Sequence, residues 1–478
     1  MFKIDPALCP KIFLRAVWLI PIVLAALIGV TTVRAVPIPH LGYGFNVAEQ
    51  DYTLLNNMGF DWIKYYNVPP IDPPPSWAHV LLRITVNKQS YNQLSTFLND
   101  LDYTLVYKDH VDAYELGNEV NLDANYGWNA APDAQKYKTV LCAAYNKIKQ
   151  ADPTAIVVSA GLAPTGRVTG SWNGHAGHNG AYQDEREFLK EIINAGGGSC
   201  LDAVGYHPYG FSADFNAPPD IASTNPTLNC ANGFCFRGVE KIYEIMQANG
   251  LSNKQIWPTE FGWITDPPDY CKSQPDWSGR LWQIVTEQKQ SSNLAGAFQY
   301  ADAHYPWMGT MFVFNLNFNT SPYYDECEQM RFYGVEGRPA QTALTNLTKN
   351  KVPGHLHVSP SYILMLIKPD WQPITQSFAL NFNNTGWQTL RYTVTANSNL
   401  TIVPTLANAS RNLNPMITKS TTVTISSTDR ITGSYTGALT VTASIGALGV
   451  PITIPIELRV VDVIWQTYLP LISANSLP

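Results

Sequence analysis

Two glutamates occupy settings in which a carboxylate can do chemistry. Glu119 closes the run Asp112-Ala113-Tyr114-Glu115-Leu116-Gly117-Asn118-Glu119. Glu260 lies in Ile256-Trp257-Pro258-Thr259-Glu260-Phe261-Gly262-Trp263. Both sit where a short apolar stretch of strand-forming residues ends, among glycine and aromatic neighbours. Two carboxyl groups about 5–5.5 Å apart are what retaining hydrolysis of a glycosidic bond requires. One attacks the anomeric carbon; the other protonates the departing oxygen and then activates water. That division needs their pKa values driven apart, one group protonated near neutral pH and its partner ionised.

Such a pair needs a frame that brings distant segments together. From Leu41 to about Leu347, strand-like runs alternate with helix-like stretches, the pattern of βα units around a parallel sheet. Strands are predicted over Leu41–Val47, Trp62–Val68, Val80–Val86, Asp112–Glu119, Ala155–Ala163, Ala203–Tyr209, Ile256–Trp263 and Thr310–Asn317. Helices are predicted over Asp133–Gln150, Gln183–Ala195, Arg237–Asn249, Ser278–His304 and Arg338–Leu347. Between the second and third strands stands Pro69-Pro70-Ile71-Asp72-Pro73-Pro74-Pro75, which cannot form an ordinary helix. The α/β reading is therefore a (β/α)8 TIM barrel with an irregular second unit. Catalytic side chains of such barrels sit at the C-terminal strand tips, where strands four and seven face each other across the mouth. Glu119 and Glu260 fall on those two tips.

Charged residues are 14% of the 478, against roughly 25% in ordinary soluble domains. With 45% hydrophobic and 12% aromatic residues, the chain can build large cores and is not disordered. The formal charge of −6 and the lack of any basic block argue against a nucleic-acid partner. Lys3, Lys11 and Arg15 precede the apolar run Ala16–Val30, and Val33-Arg34-Ala35 offers small residues for cleavage after Ala35. Residues 1–35 thus read as a signal peptide of a secreted or extracellular protein. The rival is an uncleaved anchor, although a membrane span usually needs about 20 apolar residues. Cys142, Cys200, Cys230, Cys235, Cys271 and Cys327 remain after the signal, an even number that suggests disulfides. Cys230–Cys235 is the nearest pair in sequence.

Composition shifts after Pro353: only nine of the hundred residues from Ser361 to Val460 are charged, and Thr, Ser and Asn dominate. Alternating runs at Leu390–Val394, Thr421–Ile425, Gly437–Ala443 and Pro451–Val461 predict an antiparallel β-sandwich. The expected organisation is a barrel domain over 36–352, a sandwich over 358–463 and a tail over 464–478.

Gly117-Asn118-Glu119 and Pro258-Thr259-Glu260-Phe261-Gly262-Trp263 resemble the acid/base and nucleophile motifs of clan A (β/α)8 retaining glycoside hydrolases, most closely family 39-like and family 5-like enzymes. The likeness covers roughly Leu41 to Leu347. It implies Glu119 as general acid/base, Glu260 as nucleophile, and Asn118 as a partner of the sugar 2-hydroxyl. On the sixth strand, Gly205-Tyr206-His207-Pro208-Tyr209 is similar to the clan's His-x-Tyr pattern. Residues two apart project to one side of a strand, so His207 could hold substrate while Tyr209 donates to Glu260. Trp263, three residues after the nucleophile, is the best placed of several tryptophans to stack on a sugar; Trp128, Trp172 and Trp307 are at least as well explained by packing. Many relatives carry Pro where Val120 stands, and a Trp on the eighth strand, where Phe314 is the nearest substitute. The C-terminal segment resembles the immunoglobulin-like or BACON-like modules attached to such enzymes.

Glu115, four residues deeper than Glu119 on the same side, is expected to pair with Arg83 or Lys64 as a buried ion pair. His175 and His178 have loose metal-ligand spacing without a carboxylate partner, so no metal is assigned, and the chemistry calls for no cofactor. The expected partner is a carbohydrate, by resemblance a β-linked polysaccharide or oligosaccharide, with no stable membrane insertion after signal cleavage. The competing reading is a non-catalytic carbohydrate-binding or cell-surface protein built on the same barrel.

Overall fold

The computed structural model describes residues 41–463 apart from 76, 153–154, 352, 371–374, 387, 398–402, 408, 414–417, 428–430 and 445–446. The expected signal (1–35) and tail (464–478) lie outside the described residues.

Eight parallel strands form the first sheet: β1 Gly42–Asn46, β2 Trp62–Tyr66, β3 His79–Ile84, β4 Ala113–Asn118, β5 Ile156–Gly161, β6 Ala203–Tyr206, β7 Gln255–Pro258 and β8 Thr310–Val313. They neighbour one another in chain order, with β1 also paired to β8. Parallel bridges Ile256↔Met308 and Phe261↔Val313 join the β7 and β8 segments and close the barrel. All eight predicted strands are present, most ending two to five residues earlier than expected.

Helices cover the barrel: α1 Tyr52–Asn57, α2 Lys88–Asn92, α3 Leu94–Leu105, α4 Ala134–Ala151, α5 Glu185–Asn194, α6 Val239–Ala248, α7 Asp269–Lys272, α8 Glu287–His304 and α9 Pro339–Asn346. In α4 the apolar residues Tyr137, Val140, Leu141, Ala144 and Ile148 recur at helical spacing and bury one face. Asp133 starts that helix by accepting from the Lys136 amide. The helix expected from Ser278 begins at Glu287, because the Thr286 side chain caps it there and Leu281–Gln283 is only a 3-10 turn. No described helix separates β2 from β3, as the prolines require.

Inside the barrel, Trp62, Leu81, Ala113, Val158, Ala203, Trp257 and Phe312 form one apolar layer. The Trp62 and Trp257 rings meet edge to face at 5.3 Å. β1 contributes Gly44 to this layer, since a Cβ there would lie 2.5 Å from the Phe312 ring. With a period of two, the residues one step nearer the strand tips are Lys64, Arg83, Glu115 and Thr259 on or just past β2, β3, β4 and β7, and Ala160, Gly205 and Phe314 on or just past β5, β6 and β8. A partly polar layer therefore rests on an apolar floor.

The C-terminal strands are β9 Leu356–Ser359, β10 Ile363–Ile367, β11 Thr375–Asn384, β12 Leu390–Asn397, β13 Val403–Leu406, β14 Ser410–Leu413, β15 Thr418–Ser426, β16 Gly433–Ala443 and β17 Ile452–Val460. They make two sheets, ordered β9-β11-β15-β13 and β10-β17-β16-β12-β14. Alternate residues of both sheets, among them Leu380, Phe382, Tyr392, Val423, Val441 and Ile456, fill a core between them. One pairing departs from the antiparallel expectation: β10 runs parallel to β17. β9 and β10 are consecutive but belong to different sheets, so β10 reaches its edge by a crossover and not through a hairpin.

Three disulfides are formed: Cys142–Cys200, Cys230–Cys235 and Cys271–Cys327. The last joins α7, in the chain after β7, to the loop after β8, over a small core of Ile264, Trp277 and Phe332. Among the described residues, no helix is long and apolar enough to cross a membrane.

Candidate active site

The strand ends bring Glu119 and Glu260 onto one imidazole. His207 follows β6, and its Nδ1 lies 3.0 Å from Glu119 Oε1 and 3.8 Å from Glu260 Oε2. Sharing one nitrogen keeps those two oxygens within about 7 Å of each other. The ring fits because β5 ends in Gly161, where a Cβ would stand 2.1 Å from His207 Nε2. Glu119 itself takes φ +43°, a left-handed conformation uncommon for a residue with a side chain. Its amide donates to Gly161 O at 2.9 Å, which holds the turn. Local strain of this kind concentrates at functional sites.

Glu260 is the more enclosed carboxylate. Lys64 Nζ reaches its Oε1 at 3.0 Å, and Tyr209 Oη donates to its Oε2 at 2.8 Å. Lys64 also pairs with Glu115 Oε2 at 2.8 Å, so one ammonium links the two acids. Burial pushes Glu260 upward, but the charges of Lys64 and His207 outweigh it and hold the carboxyl below its ordinary value. At Glu115 burial likewise works upward, and Lys64 beside it brings the group down to about 2. His207 would lose its proton on burial alone; Glu260 opposite it, with the bonds to Glu115 and Glu119, lifts it to about 9. Both ring nitrogens then donate, Nδ1 to Glu119 and Nε2 to Thr259 Oγ1 at 3.1 Å. Burial, with Glu260 alongside, raises the Tyr209 hydroxyl well above its usual range, so it keeps its proton and donates.

Both glutamates open on a cavity of about 670 Å³ whose lining also includes Asn118, Tyr209, Phe314 and Tyr333. Arg83 Nη1 donates to Asn118 Oδ1 at 3.4 Å, and Asn118 Nδ2 donates to Tyr126 O at 3.2 Å, which fixes the amide.

The structure thus gathers Glu119, Glu260, Asn118, His207 and Tyr209 in one place. Two expected roles need correction. Trp263 does not line the cavity: it is fully buried, donates its indole N–H to Ala213 O at 2.7 Å and packs where Gly210 leaves room. The strand ends at Pro258, so a place three residues after Glu260 does not put a side chain at the barrel mouth. His207 is also fully buried, with both nitrogens engaged by protein groups, so it positions the carboxylates instead of holding substrate. The expected Glu115 partner is Lys64, not Arg83. Elsewhere His175 pairs with Glu191, and His178 contacts Pro132 O.

Lys64 as a direct partner of Glu260 went unread, although a lysine in the inward phase of the buried strand Trp-Ile-Lys-Tyr-Tyr is a usable signal. Tyr126, Arg280, Tyr324 and Tyr333 reach the cavity from loops and carry no periodic signal.

No protein-family model matches the chain, and no curated protein matches it in sequence. Among solved structures, the chain is similar to beta-glucuronidase 2 of Bacteroides uniformis, with 10% identity, a TM-score of 0.40, and coverage of 88% of this chain and 46% of that one. A glucosidase from Croceicoccus marinus is similar at 10% identity and a TM-score of 0.42, over 82% of this chain and 97% of that one. A beta-glucuronidase of Parabacteroides merdae is similar at 10% identity and a TM-score of 0.35, over 88% of this chain and 61% of that one. The chain spans about half the length of the two beta-glucuronidases.

Proposed function

We propose that this protein is an exported glycoside hydrolase that cleaves O-glycosidic bonds of a polysaccharide or oligosaccharide by double displacement. The observation that carries the reading is the convergence of Glu119 and Glu260 on His207 at the C-terminal end of the barrel, both open to one cavity. The unequal surroundings of the two acids support their division of labour. Glu260 is held ionised by Lys64, His207 and the Tyr209 hydroxyl, as a nucleophile must be. Among the described residues the Glu119 carboxyl hydrogen-bonds to His207 alone, and it is the more exposed of the two acids, as suits the acid/base.

In the first step a Glu260 oxygen attacks the anomeric carbon while the Glu119 proton passes to the departing glycosidic oxygen. The sugar–oxygen bond breaks as the glycosyl ester forms. In the second step Glu119 takes a proton from water, the water oxygen bonds to the anomeric carbon, and Glu260 leaves as a carboxylate. Asn118, fixed by Arg83 and Tyr126 O, is placed to meet the sugar 2-hydroxyl.

The test is reducing-sugar release from a polysaccharide panel by the mature chain, with Glu260→Ala and Glu119→Gln beside it. Release by the wild type should fall by a factor on the order of 10³ or more in Glu260→Ala. Added azide should restore turnover of an activated glycoside by that variant, with inverted anomeric configuration. Release that persists in Glu260→Ala overturns the nucleophile assignment.

A further inference from the structure

The described arginines of the barrel segment fall into three groups. Arg167, Arg186, Arg237 and Arg338 each face a carboxylate, at 2.6, 2.8, 2.7 and 3.5 Å. Arg331 donates to the backbone carbonyls of Ser321, Tyr324 and Asn319. Arg83 and Arg280 have neither kind of partner: among the described residues no carboxylate lies within 4.0 Å of either guanidinium. Arg83 Nε is buried without a hydrogen-bond partner. Its neighbour Nη1 makes only the long contact to the neutral Asn118 oxygen. Both arginines line the cavity that holds Glu119 and Glu260.

The local charges point the same way. Glu115 and Glu260 are matched by Lys64 and the His207 imidazolium. When Glu119 carries the proton that the first step transfers, the Arg83 guanidinium remains unmatched on the cavity wall, and Arg280 stands at its rim, where Asp276 and Glu328 share a second hollow with it. Arg83 is held over the Tyr66 ring, 4.6 Å from its centroid, so the guanidinium is positioned in advance. Burial raises the Tyr333 hydroxyl, and the Arg280 charge works against that rise, so Arg280 is felt inside the cavity. A neutral sugar would displace water from the accessible terminal nitrogens of Arg83 and offer them only uncharged hydroxyl acceptors. An anion supplies those terminal nitrogens with a charged acceptor, in the planar or branched form that a guanidinium fork suits.

Resting on the glycosidase reading above, we propose that the sugar bound in this cavity carries a negative group, a uronate carboxylate or a sulfate ester, recognised by Arg83 and Arg280. The substrate class is therefore acidic oligo- or polysaccharide.

Two measurements test this on the full mature chain. The first is calorimetric binding to Glu119→Gln, which mimics the protonated acid, using size-matched neutral, uronate and sulfated oligosaccharides. The second is kcat/KM of the otherwise unaltered chain on matching aryl glycosides. Acidic sugars should be preferred by on the order of ten- to a hundredfold, the yield of a charge-assisted hydrogen bond. That preference should collapse in Arg280→Gln, an exposed site where folding is not at stake, and in Arg83→Gln, while Arg280→Lys retains part of it. The uronate and sulfate arms show which anion is meant. Equal or better binding of neutral sugars overturns the proposal, as does a preference indifferent to both arginine changes, or no binding of any acidic sugar. Hydrolysis confined to neutral glycosides overturns it while leaving the hydrolase reading intact. Acid-selective binding that depends on the arginines, without turnover of any glycoside, upholds the anion site and overturns the hydrolase reading.

Discussion

His207 is where three acids meet: Glu115, Glu119 and Glu260 lie 3.9, 3.0 and 3.8 Å from its ring nitrogens, with Thr259 at the remaining bond. A neutral ring there would leave one nitrogen with no proton to offer. Its folded pKa of about 9 lies above the ordinary 6.5, so the stability this group contributes is full below pH 6.5 and is lost as the pH rises through about 9. Activity should fall over the same alkaline interval, as the carboxylates lose the cation between them. Imidazole carbon-bound proton shifts followed against pH would show a His207 midpoint near 9; a midpoint near 6.5 would mean the ring is not held by the acids. At this scale the sequence was informative about residue types. Glu119, Glu260 and Tyr209 could be read because each sits at or just beyond a strand tip. His207 was placed correctly but misread in role, since burial cannot be seen in a His-x-Tyr pattern.

Strand phase explains both the successes and the misses at the level of elements. Trp62 and Lys64, Leu81 and Arg83, and Ala113 and Glu115 share inward phases on β2, β3 and β4, so an apolar floor and a polar layer follow from alternation alone. Nearness to Glu260 in sequence was no substitute for phase at Trp263, because the regular strand had already ended. Loops have no period, and the residues that the cavity draws from them were therefore invisible. Two predictions belong here. Gly161→Ala puts a methyl group into the His207 ring, so it should cost about 1–3 kcal/mol by overpacking and lower kcat more than stability, read by denaturant melts beside kinetics. Paired Cys271→Ser and Cys327→Ser changes free the loop after β7, which carries Arg280 and Gln283 to the cavity, from the loop after β8, which carries Tyr324, Met330 and Tyr333. Stability should drop by about 2–4 kcal/mol and KM should rise while kcat changes less; unaltered KM would show that the staple does not shape the mouth.

At the scale of the whole molecule, the β/α alternation up to Leu347 and the polar alternation after Ser361 announced two architectures, and both are present. Chain-wide composition could do that because the low charge content and the shift to Thr, Ser and Asn extend over a hundred residues and do not depend on any one contact. What composition could not announce was the crossover that sets β10 parallel to β17, since a parallel pair is joined through distant chain and leaves no turn signal. The apolar layer of Trp62, Trp257 and Phe312 has a kinetic meaning as well as a packing one. Its members are at most 2% exposed, so among the described residues the layer closes the barrel beneath the cavity, and what enters past the strand tips leaves the same way. On the hydrolase reading proposed above, a cleaved sugar still held there excludes the next substrate, so released product should act as a competitive inhibitor in initial-rate measurements, raising KM and leaving kcat alone. Purely uncompetitive inhibition would mean that product binds only after substrate is in place, so that the two do not share the cul-de-sac.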